Sequence, residues 1–193
     1  MGANQAKLVV ISGPSGAGKT SICNALLKRL PGAVWSVSVT TRPLRGDEAR
    51  DQSYRFVSPD EFERLLGAGA FLETAEYIGH RYGTPAEPVY RALAGGSDVI
   101  MEIDVQGGVQ VAERAPGSVR IFVLPPTMES LKARLEGRNT ESEEQLRKRL
   151  AVADGEIGFA RDSGCYTHFV VNDDLEATVR DILKTIEQER EKP

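Results

Sequence analysis

The chain is poor in cysteine and histidine, and it has no long apolar run. Its two cysteines, Cys23 and Cys165, stand far apart and without metal-ligand spacing. A disulfide framework is therefore not expected, and a reducing compartment suits the chain. Cys23 falls inside an apolar helical pattern and reads as a small buried thiol. His80 and His168 are isolated and lack the partner spacing of a metal site or a nucleophilic triad, so neither is assigned a role. No stretch approaches the roughly 18 apolar residues that span a bilayer. Met1 to Lys7 lacks the apolar segment of a secretion signal. A cytoplasmic location with no membrane partner is the resulting expectation. Positive charge is not in excess either. The formal net charge of -4 argues against a general nucleic-acid binder.

Internal repeats and low-complexity tracts are also missing. What remains is a chain of 193 residues, 40% hydrophobic and 27% charged, which fits one globular domain over 1–193 with a core of its own. Strand-like apolar runs alternate with helical patterns, so an α/β fold with a mainly parallel sheet is expected. Leu8 to Ser12, Val99 to Ile103, Val119 to Leu124 and His168 to Val171 read as buried strands. Thr20 to Leu30 has helical spacing, and Leu175, Val179, Ile182, Leu183 and Ile186 form a closing helical stripe. Two stretches break the rhythm. Val34 to Pro88 is more polar and reads as an inserted subdomain. Ser58-Pro59-Asp60-Glu61 inside it signals a helix start, with an N-cap serine, a first-turn proline and a glutamate three residues on. Trp35 reads as packing at the joint. Leu131 to Leu150 is dominated by arginine and glutamate, with Gly137 and Asn139 interrupting it. It is expected to be a mobile flap with little apolar surface to hold it down.

Gly13-Pro14-Ser15-Gly16-Ala17-Gly18-Lys19-Thr20 matches G-x-x-x-x-G-K-[ST] between a strand and a helix. Glycines let the backbone curl so that successive N–H groups face an anion, and the helix dipole adds partial positive charge. Lys19 would reach the β and γ phosphates of a nucleotide, and the Thr20 hydroxyl would hold Mg²⁺. The flanking strand and helix favour this over a glycine-rich turn that merely starts a helix. A carboxylate near the metal is also required. Glu102 and Asp104 stand two apart, so on an extended strand they would share a face. The alternative is a strand that simply emerges into solvent.

The loop identifies a phosphoryl donor but not an acceptor. Arg42 and Arg45 near a turn, with the phenols of Tyr54 and Tyr82, suit a phosphate dianion. Glu73 and Thr84 offer a carboxylate and a hydroxyl, which the donor and acceptor edge of guanine requires. Residue chemistry alone does not assign these roles, because a pair of arginines is more often a solvated surface feature. Arg134 and Arg138 are four apart and share a helix face. Beside such a loop they read as phosphate clamps.

At this point the sequence resembles the guanylate kinase family, from about Lys7 to Ile186. The motifs that carry it are the phosphate loop, Ser38 with Thr41-Arg42 and Arg45, Tyr54, Glu73, Tyr82-Gly83-Thr84, Glu102-Ile103-Asp104, and Arg134, Arg138 and Arg149. The resemblance implies a P-loop NTPase-type three-layer fold. A parallel-sheet core (1–34, 90–126 and 150–193) would carry a GMP-binding subdomain (35–89) and a helical lid (127–149). It implies ATP and GMP as substrates, with Mg²⁺ and with no obligate protein partner. Arg42, Arg45, Tyr54 and Tyr82 would hold the GMP phosphate. Glu73 and Asp104 would accept from guanine N1 and N2, Ser38 and Thr84 would face O6, and Glu102 would complete that set. Lys19, Arg42, Arg134, Arg138 and Arg149 would be the catalytic cations. The family often has Asn-Tyr at His80-Arg81 and Ser at Val39; neither position carries one of these roles. A site reading base and phosphate should also tolerate dGMP. Two rivals stand beside this reading. A ribose-phosphate kinase of the same architecture would not need Ser38, Glu73 and Thr84. A non-catalytic guanylate-kinase-like module binding a phosphopeptide typically has a degraded loop, whereas Lys19 and Thr20 are in place here.

Overall fold

The structure, a computed structural model, describes residues 5–44, 54–77, 79–137 and 143–192. In chain order the first elements are β1 (Leu8–Ser12), α1 (Lys19–Arg29), β2 (Val34–Trp35), β3 (Ser38–Thr40) and β4 (Tyr54–Phe56). Then come α2 (Pro59–Gly67), β5 (Phe71–Tyr77), β6 (His80–Pro85), α3 (Ala86–Ala94), β7 (Val99–Glu102) and α4 (Val105–Arg114). β8 (Val119–Leu124), α5 (Met128–Glu136), α6 (Glu143–Asp162), β9 (His168–Val171) and α7 (Leu175–Glu191) follow.

β1 is buried at all five of its residues, as a strand must be when helices cover both faces of its sheet. It is the centre of a five-stranded sheet in the order β2-β7-β1-β8-β9, with every pair parallel. Its side chains alternate between two clusters, as the pleat requires. Val9 and Ile11 pack with Ile22 and Leu26 of α1 and Val179, Ile182 and Ile186 of α7. Leu8 and Val10 pack with Val89 of α3 and Val111 of α4 on the other face. β7 and β8 flank β1, so the chain changes sides there and the loops at the C-terminal end of β1 diverge. Open α/β sheets bind ligands at such a switch point.

The polar stretch between the core strands forms a second sheet, β4-β3-β6-β5, with mixed pairing. α2 covers it, and Phe62 stacks on Phe71 of β5 with ring centroids 4.8 Å apart. The helix starts as the sequence indicates: the Ser58 hydroxyl accepts from the Glu61 N–H at 3.1 Å, with proline in the first turn. Cys23 and Cys165 are both buried free thiols. Among the described residues no helix is long and apolar enough to cross a membrane.

Two expectations need correction. β7 ends at Glu102, and Asp104 lies past the strand as the N-cap of α4, its carboxylate accepting from the Gly107 N–H at 2.7 Å. Glu102 and Asp104 therefore do not share a strand face. Capping the next helix decides the backbone of Asp104, because four N–H groups there need acceptors. The stretch expected to lack apolar anchorage also behaves differently over its described part. Leu131 and Leu135 of α5 are buried, and they pack with Ala153, Leu146 and Leu150 of α6. Four-residue spacing gathers these few leucines on one helix face, which a window average dominated by charge conceals. Asn139 lies outside the described residues.

Leu131 is 0% exposed, so Leu131→Ala should lower stability by about 2–5 kcal/mol through lost burial and a residual cavity. Urea denaturation would read this as a lower midpoint at unchanged slope. An unchanged midpoint would mean that α5 is not part of the cooperatively folded unit.

Candidate active site

The loop between β1 and α1 is shaped by close approach. Gly16 and Gly18 hold φ of 88° and 94°, a region that side chains rarely adopt. A Cβ at Gly18 would stand 2.3 Å from Nδ2 of Asn172, and one at Gly13 would stand 2.4 Å from the Val123 carbonyl oxygen. Lys19 opens α1, and its ammonium donates to the carbonyls of Gly13 at 2.7 Å and Pro14 at 3.1 Å. Burial lowers its pKa, while the charges of Glu102 and Glu156 act the other way. The Thr20 hydroxyl donates to Glu102 at 3.1 Å, so the end of β7 meets the start of α1 across the loop. Ser15 accepts from the Arg149 guanidinium of α6 at 2.5 Å. Arg134 of α5 donates to the Asn172 carbonyl at 2.8 Å. Both arginines thus reach the loop or its immediate support, while Arg138 lies outside the described residues.

A second cluster forms on the smaller sheet. β5 and β6 pair Glu73 with Thr84, and the Thr84 hydroxyl donates to the Glu73 carboxylate at 2.7 Å. Ser38 of β3 lies 3.3 Å from the same hydroxyl. A hydroxyl has one hydrogen to give, so Ser38 is the donor in that pair while Thr84 serves ionised Glu73. Glu73 is only 3% exposed. Burial pushes its carboxyl up to about 7, with the Thr84 hydrogen bond opposing and the Asp104 charge adding to the rise. Its second oxygen faces Gly107, where a Cβ would approach to 2.9 Å, so it looks towards the first turn of α4 that Asp104 caps. Arg42, also buried, donates to the Pro43 carbonyl at 3.0 Å. Its guanidinium lies 5.8 Å from the centre of the Tyr54 ring and 5.5 Å from that of Phe56. The Tyr54 and Tyr82 rings meet edge to face at 6.0 Å. Arg42, Tyr54 and Tyr82 are thereby brought together, and Arg45 lies outside the described residues.

A buried carboxylate with two hydroxyls beside it and a strand–glycine-loop–helix now stand in one chain. A family model described as guanylate kinase matches residues 5–189. The chain belongs to the guanylate kinase family. It is similar to the guanylate kinase of Caldanaerobacter subterraneus subsp. tengcongensis, with 44% identity over 186 residues covering 96% of this chain and 89% of that one. It is 45% identical to the guanylate kinase of Myxococcus xanthus over 183 residues, 95% of this chain and 87% of that one. A crystal structure of guanylate kinase from Anaplasma phagocytophilum aligns with a TM-score of 0.77 at 32% identity, over 98% of this chain and 88% of that one.

Sequence reasoning passed over two residues that this guanylate kinase fold brings to the loop. Asn172 is buried at the C-terminal end of β9 and donates to the Ala17 carbonyl at 2.7 Å. Its position at the end of a parallel strand was the available signal. Glu156 of α6 feels the charges of Lys19 and Asp104, and burial raises its pKa. It sits among many charged helix residues, and nothing local distinguishes it. For a metal, Thr20 and Glu102 present a hydroxyl and a carboxylate, the hard oxygens that Mg²⁺ takes. Among the described residues no group of three or more His, Cys, Asp or Glu is placed to hold an ion. The donor set therefore fits Mg²⁺ that keeps water and phosphate oxygens as its other ligands.

Asn172→Asp replaces the amide donor with an anion facing the Ala17 carbonyl. The KM for MgATP should rise on the order of tenfold, the cost of a buried unmade hydrogen bond. Steady-state kinetics at saturating acceptor would read this, and an unchanged KM would show that the loop does not depend on that contact.

Proposed function

We propose that the chain transfers the γ-phosphoryl group of ATP to GMP, giving ADP and GDP, and that it also accepts dGMP. The observation that carries the acceptor assignment is the Ser38–Thr84–Glu73 hydrogen-bond chain, buried at Thr84 and Glu73. A carboxylate this deep, with the Thr84 hydroxyl rather than a cation as its side-chain hydrogen-bond partner, is costly to keep for packing alone. It suits a ligand that offers N–H donors beside a carbonyl. On this reading Glu73 and Asp104 accept from guanine N1–H and N2–H₂, and Ser38 and Thr84 face O6, the Ser38 hydrogen turning from Thr84 to the base when GMP binds. Arg42, Arg45, Tyr54 and Tyr82 hold the acceptor phosphate, and Glu102 links the acceptor side to the loop. Residues 13–20 cradle the donor phosphates. Residues 35–89 would act as the acceptor subdomain and 127–149 as a lid on the remaining core, working in the cytoplasm.

An oxygen of the GMP phosphate attacks the γ-phosphorus, and the bond to the bridging β oxygen breaks as ADP leaves. The nucleophile is already an anion with lone pairs, so no general base is needed. Catalysis is positioning and charge stabilisation in a loose transition state. Lys19, Arg42, Arg134, Arg138 and Arg149 reduce repulsion between two anionic substrates. Thr20 and Glu102 would help hold Mg²⁺, which neutralises charge on the donor phosphates when bound. Closure over both substrates excludes water, which would otherwise take the phosphoryl group.

ADP release from MgATP with GMP, dGMP, AMP, CMP, UMP or ribose 1,5-bisphosphate tests the assignment. Selective turnover with GMP and dGMP is expected. Selective turnover with another acceptor would discard the guanine pocket and keep the phosphate loop.

The Glu73 carboxyl also sets a pH dependence. Its ionised form is the one that accepts from the base, and with a value of about 7 the free protein carries the proton at lower pH. GMP binding must then expel it, so apparent affinity should fall by up to about tenfold per pH unit below 7. Glu73→Gln should bind GMP more weakly at neutral pH and lose this component. What remains is the titration of the substrate phosphate, whose second pKa is about 6. The same shift sets the sign for stability. Between the usual 4.5 and about 7 the unfolded chain has lost a proton that the folded chain keeps, so this group lowers stability as pH rises through that window. Identical pH profiles for the two proteins would rule out Glu73 as the titrating group.

A further inference from the structure

β5 is an edge strand: β6 pairs with one side of it, and no strand pairs with the other among the described residues. An edge leaves a row of backbone donors and acceptors to be satisfied. Here α4, a helix of the larger sheet's layer, satisfies them with side chains. The Gln110 carboxamide accepts from the Thr74 N–H at 3.1 Å and donates to the Thr74 carbonyl at 2.8 Å. One turn further along, Arg114 donates to the carbonyls of Phe71 and Leu72, each at 2.9 Å. The four contacts bracket Glu73 in the sequence. The same helix begins with Asp104 as its cap and brings Gly107 against Glu73. One rigid element therefore sets both base-facing carboxylates, Asp104 by its start and Glu73 by its grip on the neighbouring backbone.

We infer that Gln110 is a positioning residue for the acceptor base: its amide stands in for a missing strand on β5 and sets where Glu73 meets the ligand. The inference rests on the reading that Glu73 contacts guanine. In its neutral-pH form the carboxamide offers a donor and an acceptor at the spacing of one residue's N–H and C=O, which an ionised carboxylate of the same size does not. A hydrocarbon of the same size leaves both groups of Thr74 unmade. A carboxylate adds repulsion against the Thr74 carbonyl, whereas a protonated carboxyl again offers one donor and one acceptor.

That difference supplies a test that a packing role would not mimic. Gln110→Leu and Gln110→Glu are compared with the parent enzyme for kcat and for the KM values of GMP and MgATP, from pH 5.5 to 8.5. At neutral pH both variants should raise the KM for GMP on the order of tenfold, with the KM for MgATP within about twofold of the parent. Glu113 and Arg114 follow the substituted position on α4, Glu73 and Glu76 flank Thr74 on β5, and all of them are common to the three proteins. In Gln110→Glu the kcat/KM for GMP, divided by the parent value, should therefore recover towards acid pH, whereas the Gln110→Leu ratio stays flat. Equal losses for both nucleotides, or flat ratios in both variants, would overturn the inference. Should Gln110→Leu fail to fold, the acid recovery of Gln110→Glu decides alone. Glu73→Gln run in parallel separates the two layers of argument. If it leaves the KM for GMP unchanged, the base-contact reading itself fails. If it raises that KM while the Gln110 variants do not, only the positioning role is lost.

Discussion

Three glycines of one loop each press against a different part of the fold. The space beside Gly13 is taken by the Val123 carbonyl of β8, that beside Gly16 by Leu131 and Leu135 of α5, and that beside Gly18 by the Asn172 amide after β9. A phosphate loop must turn its N–H groups towards one point, so its own side chains give way and surrounding elements close in. The placement of α5 and of the β9 end is tied to this constraint. α5 is thus packed on the loop through its leucines, while Arg134 of α5 and Arg149 of α6 reach the same neighbourhood with charge.

The acceptor side follows a different logic. Its central group is a carboxylate in a place where burial opposes ionisation, held by the Thr84 hydroxyl and facing a helix start. Such a group contributes little as packing and matters for what it can accept. Its counterpart Asp104 serves twice, capping α4 and presenting a carboxylate beside Glu73. Arg42 stands elsewhere on the smaller sheet, between the Tyr54 and Phe56 rings.

Much of this was legible before any coordinates. The β1 strand, the glycine loop and α1 announce themselves through apolar runs, fixed glycine spacing and a helical stripe, all properties of a dozen neighbouring residues. The Ser58 cap is equally local. The proposed acceptor residues come together as a set in the sequence only through resemblance to a family, because a pair of arginines and a few hydroxyls carry no spacing rule of their own. Asn172, Glu156 and Gln110 went unread for a related reason. Each acts on something distant in sequence, and each belongs to a residue type common on surfaces. The anchoring of α5 was missed because charge dominates its average while a few leucines share one face.

By itself the sequence determined the α/β architecture, the position of the phosphate loop and the residue types available for an anionic acceptor. These follow from periodicity and from backbone demands that act over a few residues. Only the tertiary structure decided that Asn172 would grip a carbonyl 155 residues away. It likewise decided that Asp104 would turn from strand to cap, and that Gln110 would hold the edge beside Glu73. Those outcomes depend on which backbone groups are left unpaired once the two sheets and α4 have packed. That inventory exists only in the folded chain, since in the unfolded one water satisfies every such group equally.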